Sequence, residues 1–301
     1  MLSINTNTAS MSAVNAINKS SASLSTSMER LATGNRINSS ADDAAGKQIA
    51  SRLTAQSSGM GVALSNINDA TAMLQTADSM FDEMTDVLGR MKDLSTQAAN
   101  GTYNDEDLQA MQDEYDELGQ QMSDMLQNTT YGGTNLFGLS GTSNTGKDGL
   151  FQGAVSFQVG AESSDTMTVD ISSQLGDLVN ALDSVSKSFS ADQSGTAGIS
   201  GGSELTTSGS ANQMITTIQT AMDDVSKIQS KLGASINRLN DTAANLTSMQ
   251  DNTEVAIGNI MDTDYATEAS NMTQQQVLMQ TGITMLKQSN SMSSMVSSLL
   301  Q

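Results

Sequence analysis

Side chains able to do acid–base chemistry gather in two runs of this chain, Asp105-Glu106-Asp107 and Asp113-Glu114-Tyr115-Asp116-Glu117. Two carboxylates facing one another across a cleft could serve as the acid and base of a glycosidase. The same spacing also describes the acidic first turn of a helix followed by its solvated face, where carboxylates meet the positive end of the helix dipole. Composition closes most other routes. The 301 residues include no His and no Cys, so a Ser-His-Asp triad, a Cys-His pair, an HExxH zinc site and a disulfide framework are all excluded. The acidic runs lack the Gly and the terminal Glu of a calcium loop. Gly132-Gly133 and Gly201-Gly202 lack the Lys of a phosphate loop. No catalytic residue, metal ligand or cofactor is expected, and the chain reads as something other than an enzyme.

The elements that carry these residues are helices. Pro and Trp are absent, aromatics make up 3%, and Met occurs 21 times. A core without large aromatics has to be built from Leu, Ile, Ala and Met along helix seams. The missing Pro agrees, since one Pro inside a helix costs ~3 kcal/mol. A formal charge of -20 argues against nucleic acid and against an anionic membrane surface. No run of ~18 apolar residues exists to insert into a bilayer. The start Met1-Leu2-Ser3-Ile4-Asn5 has neither a charged nor an apolar signal region, so no Sec-type signal peptide is expected.

Periodicity gives the architecture. Leu53, Met60, Ile67, Leu74, Phe81 and Leu88 recur every seven residues, with Ala63, Ala70, Ala77, Met84 and Met91 three places after five of them. That is a coiled-coil-like seam. It predicts a helix over about 43–99, close to ~85 Å long at ~1.5 Å per residue, with Ser40 or Asp42 capping its start and Gly101 its end. Leu108, Met111, Tyr115, Leu118, Met122 and Met125 predict an antiparallel neighbour. Ala211, Ile218, Val225, Leu232, Leu239 and Leu246 predict a third helix, weakened at Ser235 and Thr242. Between them, 138–210 is rich in Gly, Ser and Thr. There Val155–Val159 and Met167–Ile171 alternate like a half-buried hairpin.

The ends carry apolar stripes at Met11, Val14, Leu24, Met28 and Leu31, and at Met272, Met279, Leu286 and Leu299. Neither finds a third helix nearby, so both are expected to order on assembly. The fold class is therefore mainly α: an elongated antiparallel bundle with a small β-hairpin region and paired terminal helices. Its segments are 1–42, 43–137, 138–210, 211–261 and 262–301.

Leu31-Ala32-Thr33-Gly34-Asn35-Arg36-Ile37-Asn38-Ser39-Ser40-Ala41-Asp42-Asp43-Ala44-Ala45-Gly46 resembles the N-terminal signature of the bacterial flagellin family, with Asn35 where Leu is usual. Leu88–Asn100, Phe157-Gln158-Val159-Gly160, Asn237–Leu239, Gln276–Leu278 and the end Ser297–Gln301 are similar to further stretches of that family. The resemblance implies a secreted, extracellular filament subunit that is exported unfolded through the flagellar type III apparatus. Its terminal helices would form an inner D0 tube and its bundle a D1 domain, with little or no outer domain. Implied partners are further copies of itself, an export chaperone, hook-associated proteins and the filament cap. Arg90, Leu94 and Glu114 align with a contact to Toll-like receptor 5 (TLR5), although Gly89 departs from the usual Gln and the same residues would also suit subunit packing. The alternative is a hook–filament junction protein, which shares related ends and the same export route.

Overall fold

The computed structural model describes residues 7–138, 149–189 and 202–299. Six helices dominate: α1 (Thr8–Thr33), α2 (Ala44–Ala98), α3 (Asp105–Asn128), α4 (Ser172–Val185), α5 (Ser208–Met261) and α6 (Tyr265–Leu299). Strands β1 (Thr130–Tyr131) and β2 (Thr134–Asn135) form one hairpin, β3 (Val155–Gln158) and β4 (Thr166–Val169) another. Packing divides the chain into a terminal unit, 1–58 with 250–301, and a body, 59–249. The divisions fall inside α2 and α5. The mainly helical class with small hairpins is the one the periodicities predict.

In the body, every heptad position from Met60 to Leu88 is buried, as are all six α5 positions from Ala211 to Leu246. Lys92 donates to Gln219 at 3.1 Å and Gln229 to Asp82 at 2.7 Å, so α2 and α5 run antiparallel in one register. Arg90 pairs with Glu114 across the 99–104 connection, which makes α3 antiparallel to α2 as well. Ser235 is buried at its place in the α5 seam, and its hydroxyl donates to the Lys231 carbonyl, leaving no unpaired polar group. β3 and β4 pair in the register Val155↔Val169, and Asn66 of α2 donates to the Gln158 carbonyl, so the hairpin lies on α2. The two central residues of the first hairpin, Gly132 and Gly133, have φ of 58° and 83°, the left-handed pair that a tight two-residue turn requires.

Three local expectations need correction. Asp43, and neither Ser40 nor Asp42, caps α2: its carboxylate accepts from the amides of Ala45 and Gly46. Asp42 instead folds the preceding turn, accepting from Asn38 and Ser39, and these bonds hold it below the usual carboxylate range. Helix α2 ends at Ala98, and Gly101 is outside the left-handed region, so it is no C-cap. Within 138–210 there is also α4, whose Leu175, Leu178, Leu182 and Val185 are all buried.

The acidic runs divide in the same way. Asp105-Glu106-Asp107 is the first turn of α3, with Asn104 and Asp107 forming a capping box. Asp116 is different: it is buried, and accepts from Gln112 at 2.9 Å and the Gly202 amide at 3.0 Å. Gln112 also donates to Glu204 and accepts from the Leu205 amide, while Glu204 accepts from the Lys187 amide. One amide side chain thus latches 202–205 and the end of α4 onto α3. Gln112→Leu strands those carboxylate and amide groups, so it should destabilise the body by about 1–3 kcal/mol or more. Gln109→Leu, which loses only an exposed bond to Asp113, should stay near wild type. Thermal melts compare the two; an unshifted Gln112→Leu melt would contradict the latch.

Candidate assembly surface

Within the terminal unit, α1 and α6 pack antiparallel. Asn7 donates to Ser289 at 3.0 Å near one end, and Arg30 lies 3.9 Å from Glu268 near the other. Facing residues on α1 fall at Ser10, Ala13, Ile17, Ser20, Leu24, Ser27 and Leu31, steps of three and four. On α6 they fall at Glu268, Met272, Gln275, Met279, Gly282, Leu286 and Ser289. This is an antiparallel seam in which eight of the fourteen positions are small or polar. A side chain at Gly282 would come within 2.8 Å of Ile17, so Gly there allows the close approach.

The expected terminal stripes therefore separate into two sets. Leu24, Leu31, Met272, Met279 and Leu286 are half-buried on the seam, where each terminal helix partners the other, as the expected pairing of the ends requires. Met11, Val14 and Met28 point away from it and are exposed. Leu299 closes α6, and its side chain lies outside the described residues. The corresponding open line of α6 is legible in the sequence as the adjacent series Leu278, Met285 and Met292, which recur every seven residues; all three are exposed, as are Val277 and Ile283 beside them. Met285 is 64% exposed, which is unusual for a large apolar side chain repeated along one helix face.

The turns that join these helices to α2 and α5 hold each other. Gly34, at φ 75°, ends α1 and passes its amide to the Arg30 carbonyl. Arg36 donates to the Met261 and Ile260 carbonyls, and Thr263 donates to Gly34. Asn35 sits opposite Asp262 in an antiparallel bridge made by the backbone, so that place does not demand a Leu. Ile37 is buried, and a side chain on Gly46 would come within 2.8 Å of it. The motif around Leu31–Gly46 is thus a folded junction. Asp264 caps α6 from its bonds to Thr267 and Ala266, which hold it below the usual carboxylate range.

Charge is partitioned unevenly. The terminal unit has six basic and eight acidic residues, so of the chain's 13 and 33 the body has seven and 25; the net charges are -2 and -18. Copies brought together would repel through their bodies and not through their terminal helices. On the body, Arg90 and Glu114 are exposed and form a charge-assisted pair at 2.6 Å. Leu94, aligned with them as a receptor contact, is 2% exposed and belongs to the bundle core. No group of three or more acidic residues placed to hold a metal occurs among the described residues.

Comparison with known proteins agrees with the geometry. Residues 4–142 match the bacterial flagellin N-terminal helical region, and residues 215–300 the bacterial flagellin C-terminal helical region. The chain is 31% identical to flagellin A of Vibrio anguillarum over the full length of both. It is 32% identical to polar flagellin F of Vibrio parahaemolyticus, covering 95% of this chain and 96% of that one. A putative flagellar hook-associated protein from Vibrio parahaemolyticus shares its fold, with a TM-score of 0.52 over 73% of this chain and 100% of the other, at 16% identity. That last likeness speaks for the fold alone. The two family regions and the full-length relatives establish that this chain belongs to the bacterial flagellins, the structural subunits of the flagellar filament.

Proposed function

We propose that the α1–α6 pair is the polymerising element, and that a second copy of this chain covers its open line. The observation that carries this reading is the exposed heptad Leu278, Met285 and Met292 on a helix whose other face is already satisfied by α1. The near-neutral charge of the terminal unit supports it, because attraction between copies must overcome repulsion between bodies carrying -18 each. In this reading 1–42 and 262–301 form the inner D0 layer, 43–137 and 211–261 supply the D1 helices, and 138–210 is a short insert. Packing half of a two-helix seam with Ser, Gln and Gly gives little burial per residue ordered, so the free pair is marginal and orders fully on assembly.

Export through the flagellar type III apparatus as an unfolded chain, and an extracellular filament, follow from the same family reading. A chaperone would shield the open line of α6 before export, and hook-associated proteins and the cap would meet it at the filament ends. Recognition by TLR5 would draw on Arg90 and Glu114, since Leu94 faces the core.

Hydrogen exchange tests the proposal. Amides in 1–35 and 265–301 should exchange rapidly in the free subunit and slowly in the filament, and those in 53–91 slowly in both. Ends that are equally protected in both states would sink the coupling of order to assembly.

A further inference from the structure

We infer that Met11, Met28, Met285, Met292 and Met295 form an oxidant-sensitive modification site through which peroxide blocks addition of the subunit to a filament. The inference rests on the reading that the α1–α6 pair polymerises. The chain holds 21 Met and no Cys, so thioethers are its only sulfur. They are distributed in two environments. Body methionines such as Met84, Met91 and Met122 are fully buried on the bundle seams, whereas these five, all on α1 or α6, are between 50% and 64% exposed. Met249 is the exposed exception in the body, at 45%.

The chemistry is simple and balanced. A sulfur lone pair attacks one oxygen of hydrogen peroxide, the O–O bond breaks, a sulfoxide forms and water leaves. Sulfur loses two electrons and peroxide gains them. The product is polar where the thioether was apolar and flexible. In the free subunit the new oxygen faces water, so the fold survives. At Met285 and Met292 it lies on the open α6 line with Leu278, beside Val277 and Ile283, where a covering copy takes the place of water. Burying an unpaired polar group there opposes association. Assembly in turn shields the same sulfurs. Peroxide therefore disables subunits that have not yet been incorporated and spares those already in a filament.

The experiment treats free subunit and preformed filament with hydrogen peroxide, maps sulfoxides by peptide mass spectrometry, and measures the yield of sedimenting polymer. In the free subunit the five terminal methionines should oxidise while Met84, Met91 and Met122 do not, with polymer yield falling in proportion and far-UV circular dichroism of the body retained. In the filament the five should be protected. Methionine sulfoxide reductases A and B together should restore the yield. A chain with all five replaced by Leu, whatever its untreated yield, should lose none of that yield to peroxide; should that chain fail to assemble untreated, rescue of the wild type by the reductases decides the matter. Polymerisation of fully oxidised subunits at the untreated yield overturns the inference, as does a five-fold Leu chain that assembles untreated yet loses as much yield to peroxide as wild type. Failure of untreated wild type to polymerise would instead sink the proposed function.

Discussion

Deleting residues 265–301, or 1–35, should abolish filaments and leave the body folded with its own cooperative melt. The contiguous buried core begins at Met60 and ends at Leu246, so neither truncation removes any of its members. The terminal unit, by contrast, buries Ile37 and Ala50 among its apolar residues, and most of its remaining apolar side chains stay half-buried or exposed. Each truncation removes one whole side of the α1–α6 seam and exposes the other. A lone helix of 26 or 35 residues that is rich in Ser, Asn and Thr has no packing to offset its nucleation cost. Association should fall below detection, because the body contributes repulsion. Sedimentation and electron microscopy would read the polymer, and circular dichroism the body. Filaments of ordinary length from either truncation would remove the terminal helices from the mechanism.

The bundle was legible in the sequence because its signal is local and periodic. Leu74, Phe81 and Leu88 on α2 and Ile218, Val225 and Leu232 on α5 fall where a seven-residue count puts them, and all are buried. Helix α4 was hidden although Leu175, Leu178, Leu182 and Val185 have helical spacing: its 14 residues stand between a strand pattern and a Gly/Ser/Thr-rich stretch. The Gln112 latch leaves no periodic trace, because its partner Glu204 is 92 residues away. The terminal seam was obscured for a third reason. Ser10, Ser20 and Ser27 occupy apolar places in its heptad, so Met11 and Leu24 looked like one stripe when they lie on different faces. Hydrophobicity alone misses a seam built for close approach, since small polar residues mark it as well as large apolar ones do.

That difference between the two seams sets what a single substitution can do. Leu74→Pro should be the most damaging point change in the chain's body. Leu74 is fully buried near the middle of α2, between Ile67 and Phe81 on the same seam. Pro removes the amide donor of one helical bond and its ring collides with the preceding turn, costing ~3 kcal/mol or more. Loss of the Leu side chain adds a cavity cost of roughly 2–5 kcal/mol. Together these approach the whole stability of an ordinary domain, about 5–15 kcal/mol. The kink also carries the register error along α2, where Lys92 and Asp82 meet Gln219 and Gln229. Pro at Ser143, which lies outside the described residues in the Gly/Ser/Thr-rich stretch, serves as the control and should melt near wild type. The Leu74→Pro chain should lose its cooperative transition and form no filament even with intact ends, since the body helices α2 and α5 continue into the terminal unit. Equal melting temperatures for the two variants would mean that the α2–α5 seam does not hold the body together.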